Sequence, residues 1–370
     1  MQAVILAAGR STRTLPLTST RPKPLIPIWG RPLLELQLDQ LHGLVGEALL
    51  VVGYREEQIR AHFGDSYRGI RIRYVRQERQ RGTADALLAA RPYVRGRALV
   101  VNGDDFYHHD DLERLLDGGR GLLVTHAPDP QNRAVVTLDG DRIVSIVEKP
   151  KAPPPDALSS VGGYCIERED LVLLDRLSPS PRGELELPDF ITGLVQTSAV
   201  RAREIVELWI PLTYAWDVLT VMSVLWDEPA RAIELGLAER PGNVAIAGSG
   251  PIWLGDGVVV APDARLTGPI ALGSGTRVDA GAVLERVVAF DGVSVGARAH
   301  IADSVLGAGV DVGPDARLES RAGHQLSIDI KGTRVVPALA RLGAILGDGA
   351  SIEAFGTVAP GTLVPAGESA

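Results

Sequence analysis

Cysteine is almost missing from this chain. Cys165 is the only one, so no disulfide can form within the chain and no cysteine-based zinc site can be built. No apolar run approaches the roughly twenty residues of a membrane-spanning helix. The N-terminus shows no basic leader with a separate apolar segment. The expectation is a cytoplasmic protein with no membrane partner. Positive charge is not in excess either. The 38 Lys and Arg residues stand against 46 Asp and Glu, a net charge of −8, which argues against a general nucleic-acid binder. No GxxxxGK[ST] loop occurs, so a Walker A site is excluded. The 370 residues are enough for two or three domains and a sizeable core.

What is present starts at residue 3. Ala3-Val4-Ile5-Leu6 reads as a short apolar strand, and the stretch that follows packs Gly9, Ser11, Thr12, Arg13 and Lys23 into fifteen residues. A strand that ends in a small-residue turn and then supplies cations is the layout of a polyphosphate site. Turn N–H groups cradle phosphate oxygens, and Arg and Lys neutralise them.

To about residue 225 short β-rich runs alternate with helical patterns. Strands are predicted at Ala3–Leu6, Ala48–Val52, Ile70–Val75, Ala98–Asn102 and Gly121–Thr125, and helices at Leu33–His42, Glu56–Phe63, Thr83–Ala90 and Leu112–Leu116. This alternation predicts βαβ units and a mostly parallel sheet. Ligands of such sheets bind beyond the carboxyl ends of the strands. The opening motif and Asn102-Gly103-Asp104-Asp105 both follow predicted strands, so both are expected on that rim. His108-His109-Asp110-Asp111 reads as a helix N-terminus with aspartate caps, because adjacent residues rarely converge on one ion.

From about residue 244 the pattern changes. Apolar residues recur every six, at Leu254, Val260, Leu266, Leu272, Val278, Leu284 and Phe290, with a second register at Ile252, Val258, Ala264, Ile270, Thr276 and Ala282. The period slips after Phe290 and returns at Leu306 and Val312, then at Leu346, Ile352, Val358 and Val364. Six residues fit neither helix nor ordinary strand, but match the hexapeptide repeat of a parallel β-helix. Arg321–Arg341 breaks the period and reads as an inserted excursion. Glu228–Gly242 reads as a connecting helix and linker. The expected division is therefore residues 1–227, a linker over 228–243, and a repeat domain over 244–370.

The first 225 residues resemble the sugar-1-phosphate nucleotidylyltransferases, in particular the glucose-1-phosphate uridylyl- and thymidylyltransferases. The pattern LAAGxGTRxxPLT followed by PKP stands here as Leu6 to Thr18 and Pro22-Lys23-Pro24, with Ser11 in place of a usual Gly. A Cβ there crowds the phosphate or forces a different local φ. The resemblance implies a Rossmann-like α/β domain that joins an NTP to a sugar 1-phosphate and releases pyrophosphate. It places Leu6, Ala8, Gly9, Ser11 and Thr12 around the nucleotide, Arg13 against the triphosphate, and Lys23 toward the α-phosphate or sugar phosphate. Asp104 matches the family's metal ligand, implying Mg²⁺. A second ligand is common in a Trp-x-Asp motif; if Trp209 is that Trp, Pro211 stands at the Asp position, and Asp217 is the alternative ligand or the opening of the next helix.

Gln77 to Ala84 resembles the Q-x4-GTA segment that reads a pyrimidine, with Gln77 at the base edge, Gly82 allowing close approach and Thr83 beside it. UTP or dTTP is implied. On the sugar side Glu148-Lys149-Pro150 resembles EKP, Ser160 to Tyr164 resembles a segment whose Gly162 opens room for the sugar, and Arg182 to Asp189 resembles RGELEITD, with Glu186 against the sugar. Glucose 1-phosphate is the first expectation.

The repeat half resembles the left-handed β-helix of bifunctional nucleotidylyltransferase/acetyltransferases, which implies a homo-oligomer, trimeric or larger. Its acetyltransferase stretches depart from the pattern: Ala297 stands at the expected base, and His300 falls on a Tyr position, with His324 further on. The expectation is a structural or regulatory domain. Acetylation of glucosamine 1-phosphate and a non-catalytic nucleotide-sugar sensor are the alternatives.

Overall fold

Ala3, Val4 and Ile5 are wholly buried because their strand runs through the middle of a ten-stranded sheet. In chain order the strands are β1 (Gln2–Leu6), β2 (Glu47–Val52), β3 (Ser66–Tyr67), β4 (Ile70–Arg76), β5 (Ala98–Asn102), β6 (Gly121–His126), β7 (Ala134–Asp139), β8 (Arg142–Glu148), β9 (Leu158–Ile166) and β10 (Arg201–Glu204). The computed structural model describes residues 1–127, 129–227, 247–249 and 252–370. The expected linker over 228–243 lies outside them.

The spatial order is β7-β8-β10-β6-β9-β5-β1-β2-β4-β3. β4, β2, β1 and β5 are parallel, and β2 is buried along its whole length, as a parallel strand covered on both faces must be. The chain winds outward from β1 through α1 (Leu33–Gln40) and α2 (Glu56–Phe63), then returns past β1 to β5 through α3 (Thr83–Ala90). The strand order thus reverses between β1 and β5, with Leu6 beside Asn102. Such a reversal is where open α/β sheets bind ligands. The other half is largely antiparallel, with β9 paired to both β5 and β6.

The helix predicted at Leu112–Leu116 begins earlier, as α4 (His109–Leu116). Its cap is not an aspartate. His108 Nδ1 accepts from the Asp110 N–H at 3.3 Å. Asp111, fully buried, accepts backbone N–H bonds from Val206, Glu207 and Leu208 and pairs with Arg114 one turn on. α5 (Leu187–Thr197) buries Phe190, Ile191 and Leu194 in the sheet's core.

The chain divides into two compact units, Met1–Arg10 with Leu34–Pro211, and Ser11–Leu33 with Leu212–Ala370. Besides α6 (Asp217–Asp227), the second holds a parallel β-helix of three sheets with six, six and five strands. One inward column runs Leu266, Leu284, Ile301, Leu318, Val358; the next runs Leu254, Leu272, Ala289, Leu306, Leu346, Val364; the third runs Val260, Val278, Val295, Val312, Ile352. All lie in one apolar core.

Phe290, expected in this column, is displaced from it. Leu272 pairs with Ala289, because that coil is one residue shorter than the one before. Phe290 is still buried, at 2% exposure, so apolar spacing alone hides the slip. The expected excursion is present. Arg321–Ala322 pairs antiparallel with Arg341–Leu342, and Ile328–Ile330 with Thr333–Val335. Lys331 and Gly332 turn the hairpin at φ +56° and +78°, the sign that a two-residue type I′ turn requires. Leu306 pairs directly with Leu346 across it.

Candidate active site

At the β1–β5 reversal the backbone is drawn tight. Ala7 N–H donates to Val51 O at 2.8 Å, Tyr54 N–H to Ala8 O at 3.1 Å, and Gly103 N–H to Leu6 O at 2.9 Å. A Cβ on Gly53 would stand 2.9 Å from Ala8 O, and one on Gly103 would stand 2.9 Å from Leu6 O. Both positions need glycine because neighbouring strand ends lie against Leu6–Ala8. Gln80, which sequence reasoning passed over, straps this turn: its Nε2 donates to Ala8 O at 2.7 Å, and its Oε1 accepts from Arg10 N–H at 3.2 Å. The side chain imitates a strand edge. Its place inside the Q-x4-GTA span was the available signal. Gly9 is exposed just beyond.

The adjacent aspartates after β5 differ. Asp105 is buried and accepts from Asn102 Nδ2 (3.2 Å) and Trp209 Nε1 (3.4 Å), with the Tyr107 hydroxyl oxygen 3.3 Å away. Asp104 is partly exposed in the turn. Burial first, then the charges of Asp105 and Asp104, push the Tyr107 hydroxyl well above the usual tyrosine value, so it stays a neutral donor to Val161 O at 2.7 Å. Asp105–Tyr107 pairs antiparallel with Trp209–Pro211, which sets Pro211 across from Asp105. If Trp209 is the Trp of the Trp-x-Asp motif, the position expected of the second acid carries a proline and pairs with the residue after Asp104. Among the described residues no group of three or more His, Cys, Asp or Glu gathers to hold a metal.

In the second unit, Ser11 sits in the left-handed region at φ +48°. Its carbonyl accepts from Thr14 Oγ1 at 2.7 Å and Thr18 Oγ1 at 2.9 Å. Thr12 is half-buried and Arg13 exposed on the short turn that follows. Lys23, only 5% exposed, opens a second turn between Pro22 and Pro24. Asp217 leads α6, and its Oδ2 accepts from Thr213 N–H and Tyr214 N–H, both at 2.8 Å.

Gln77 is buried, and its Nε2 donates to Gly82 O (3.1 Å) and Asp85 Oδ2 (2.8 Å). Gly82 has φ +110°, and a Cβ there would overlap the Leu185 carbonyl. Leu185 N–H donates to Arg81 O at 2.7 Å, Ala84 N–H to Leu185 O at 2.9 Å, and Leu187 N–H to Thr83 Oγ1 at 3.0 Å. The Gln77–Ala84 turn and the Arg182–Asp189 segment are thus one strip of backbone.

Glu148 and Glu186, two of the residues expected on the sugar side, converge on Arg182, which stands in the same motif as Glu186 but is not among the expected site residues. Its Nη2 donates to Glu186 Oε2 and, at 3.1 Å, to Glu148 Oε1. Lys149 Nζ lies 3.5 Å from the same Glu148 oxygen, and Ser180 Oγ donates to Glu186 Oε1 at 2.7 Å. Burial alone would raise the Glu186 carboxyl, but the Arg182 and Ser180 hydrogen bonds and the Arg182 and Lys149 charges outweigh it and hold it below the usual value. Burial, then the Glu186 charge, raises neighbouring Asp189. Gly162, at φ +81°, makes room for the Asn102 side chain, which a Cβ would overlap.

The arrangement is a strand-end turn built for close approach, a carboxylate on the same rim, and a backbone strip joining an amide-bearing turn to a charged cluster. Residues 2–217 match the nucleotidyl transferase family. The bifunctional protein GlmU of Methanococcus maripaludis is 29% identical over 373 residues, covering 94% of this chain and 88% of that protein. A bifunctional sugar-1-phosphate nucleotidylyltransferase/acetyltransferase of Sulfurisphaera tokodaii is 26% identical over 396 residues, covering 98% and 97%. The crystal structure of a UDP-glucose pyrophosphorylase complexed with UDP-glucose shares the fold, with TM-score 0.56 and 19% identity over 61% of this chain and 98% of its own. A family match across more than half the chain settles membership: this protein belongs to the nucleotidyl transferase family.

Proposed function

We propose that the protein transfers a nucleotidyl group from UTP or dTTP to a sugar 1-phosphate, with glucose 1-phosphate the first candidate. The observation that carries this reading is the strip joining Arg81–Ala84 to Leu185–Leu187. A transfer between a nucleotide and a sugar needs base-side and sugar-side contacts held at a fixed separation, and a shared backbone ladder provides that.

A sugar phosphate oxygen attacks the α-phosphorus, the bond from the α-phosphorus to the bridging oxygen breaks, and pyrophosphate leaves with its added charge. No covalent enzyme intermediate is needed, so catalysis is positioning plus charge neutralisation. In this reading Arg13 and Lys23 neutralise the phosphates. Lys23 is nearly fully buried, where a cation acts on an anion more strongly than in water. With Gln77 Nε2 engaged by Gly82 and Asp85, its Oε1 accepts the imide N–H that uracil and thymine share. Glu186 and Glu148, oriented by Arg182, accept from sugar hydroxyls.

A single partly exposed carboxylate fits Mg²⁺, which takes few protein ligands and keeps waters and phosphate oxygens. Asp104 would hold it, and the ion would offset phosphate charge. The test is a matrix of NTPs and sugar 1-phosphates scored by pyrophosphate release. Release should occur with at least one pair and be lost in Asp104→Ala and Lys23→Ala. No release with any pair would overturn the reading, and nucleotide binding without turnover would point to a sensor.

A second reading, acetyl transfer from a coenzyme A thioester to an amino-sugar phosphate, rests on exposed His300, whose Nε2 lies 4.0 Å from Glu285 Oε1. An imidazole beside a carboxylate is a workable general base. Thiol release from acetyl-CoA, abolished in His300→Ala, is the result it requires.

A further inference from the structure

We infer that the β-helix sets the conformation of the phosphate-binding segment, with Asp348 as the positioning residue, so that nucleotide binding depends on the repeat domain. This rests on the reading of Arg13 as a triphosphate ligand and, of the two roles expected for Lys23, on contact with the NTP α-phosphate.

The β-helix has three outer faces. Exposed strand positions on the first carry Arg265, His300, Arg317 and Thr357, and those on the third include Arg277 and Asp311. The second face differs. Its alternate positions Trp253, Ala271, Val288, Val305 and Ile345 are buried, none more than 7% exposed, and Leu363 on the last strand is half-buried. Their strand neighbours Leu254, Leu272, Ala289, Leu306 and Leu346 fill the inner core, so the five point away from it. An apolar face of this length needs a cover.

Part of that cover is the segment Ser11–Leu33, which clusters with the repeats and not with the sheet that precedes it in sequence. Gly30 lies against the Trp253 indole so closely that a Cβ would overlap the ring. The Arg21 guanidinium lies over the Phe290 ring at 5.0 Å. Gly347 is bare where Pro16 approaches, its absent Cβ 3.0 Å from Pro16 Cβ.

Asp348 turns this packing into a fixed point. Its Oδ1 accepts from Ala308 N–H at 2.9 Å, which ties the carboxylate to the neighbouring coil, where Leu306 pairs with Leu346. Its Oδ2 accepts from Thr20 Oγ1 and Arg21 Nη2, both at 2.5 Å. Two consecutive residues of the segment are therefore anchored to one carboxylate. The Arg21 and Asp348 side chains are only 19% and 16% exposed, so solvent competes weakly for the pair. Arg21 is followed by Pro22-Lys23-Pro24, where two fixed φ angles leave little slack between the anchor and Lys23. Asp348 touches no substrate in this account. It acts through the backbone that carries Lys23.

The test uses the full chain and compares wild type with Asp348→Ala, Asp348→Glu, Thr20→Val and the exchange pair Arg21→Asp with Asp348→Arg. KM and kcat are measured for each substrate by pyrophosphate release, and NTP affinity by calorimetry. Asp348→Ala is expected to weaken NTP binding about tenfold while KM for the sugar phosphate stays within about twofold, since both charge-assisted bonds that anchor the segment, from Thr20 and from Arg21, are lost. Thr20→Val should give a smaller loss of the same kind, and Asp348→Glu and the exchange pair should recover part of it. If Asp348→Ala melts at a lower temperature yet binds NTP as wild type does, Asp348 only stabilises the fold and the inference is overturned. Should Asp348→Ala fail to fold, Thr20→Val decides by the same readout. A wild type that binds NTP without turnover removes the enzymatic reading, while the calorimetric comparison still decides this one.

Discussion

The Thr18 hydroxyl donates to the Ser11 carbonyl at 2.9 Å, and Thr14 adds a second bond to the same oxygen at 2.7 Å. Ser11 holds φ +48°, a region that costs a residue with a Cβ about 1–2 kcal/mol. Each hydroxyl bond offsets about 1 kcal/mol. The two threonines therefore hold a turn for which the related pattern uses glycine. Thr18→Val is expected to lose about 1 kcal/mol and to raise KM for the NTP several-fold. Ser11→Gly should be close to neutral, because relief of the backbone and the freer unfolded chain oppose each other. Thermal melts with matched kinetics check both, and an unchanged KM in Thr18→Val would count against the turn's role.

Gly82 separates a backbone requirement from a general loss of flexibility. At φ +110° and against the Leu185 carbonyl, Gly82→Ala should cost about 2 kcal/mol or more. It should also raise KM for both substrates, because the strip serves both. Gly96→Ala is the control: nothing lies within 4 Å of its Cβ and its φ is ordinary, so stability should move by no more than about 0.5 kcal/mol. Equal effects at the two positions would remove the argument.

Glu186 predicts a pH response. Its carboxyl is held below the usual value, burial being outweighed by Arg182, Ser180 and Lys149. A lowered folded value means the charge persists as pH falls through the ordinary range, about 4.3 for glutamate. Its contribution is fully present above the unfolded value and disappears only as pH falls through the folded one. KM for the sugar phosphate, corrected for the substrate's own ionisation, should therefore show no Glu186 limb down to about pH 4.3. In Arg182→Met the limb should appear at higher pH. An identical profile in that variant would show that Arg182 does not set the charge.

Cys165 is 1% exposed, and burial pushes its thiol up to about 11. With the raised value the group is a neutral thiol at pH 8, and the thiolate is the reactive form. Labelling by a thiol reagent at pH 8 should follow the rate of unfolding and rise with denaturant. Rapid stoichiometric labelling of the native chain would contradict this placement.

Local signals were legible in the sequence and distant ones were not. β1, β5, α2 and α3 follow from apolar runs and turn residues that lie within a few positions of one another. The six-residue period reveals the β-helix because each coil repeats the same demand on the same columns. The period fails at Phe290, since a one-residue shortening hides behind a side chain that is still buried. Gln80 gives no local signal of its role, as its partners Ala8 and Arg10 are about seventy positions away. Arg182 stood in a quoted motif, yet nothing local shows that it links two glutamates. Asp348 and Thr20 are 328 residues apart, and only folding makes them neighbours. His108 holds the cap expected of aspartate because the helix begins at His109, which places Asp110 and Asp111 inside its first turn.

The excursion between Leu318 and Leu346 has a consequence for connectivity. Leu306 pairs with Leu346, Val312 with Ile352 and Leu318 with Val358, so the coils on either side are zipped together by strand hydrogen bonds. The peptide chain between them is a redundant tie. A cut at the exposed Lys331–Gly332 tip would leave two fragments that still complete one another's sheets. The last coils are in effect a built-in complementing fragment, and the hairpin tip is a place where the polypeptide could be reopened or extended without a change of register.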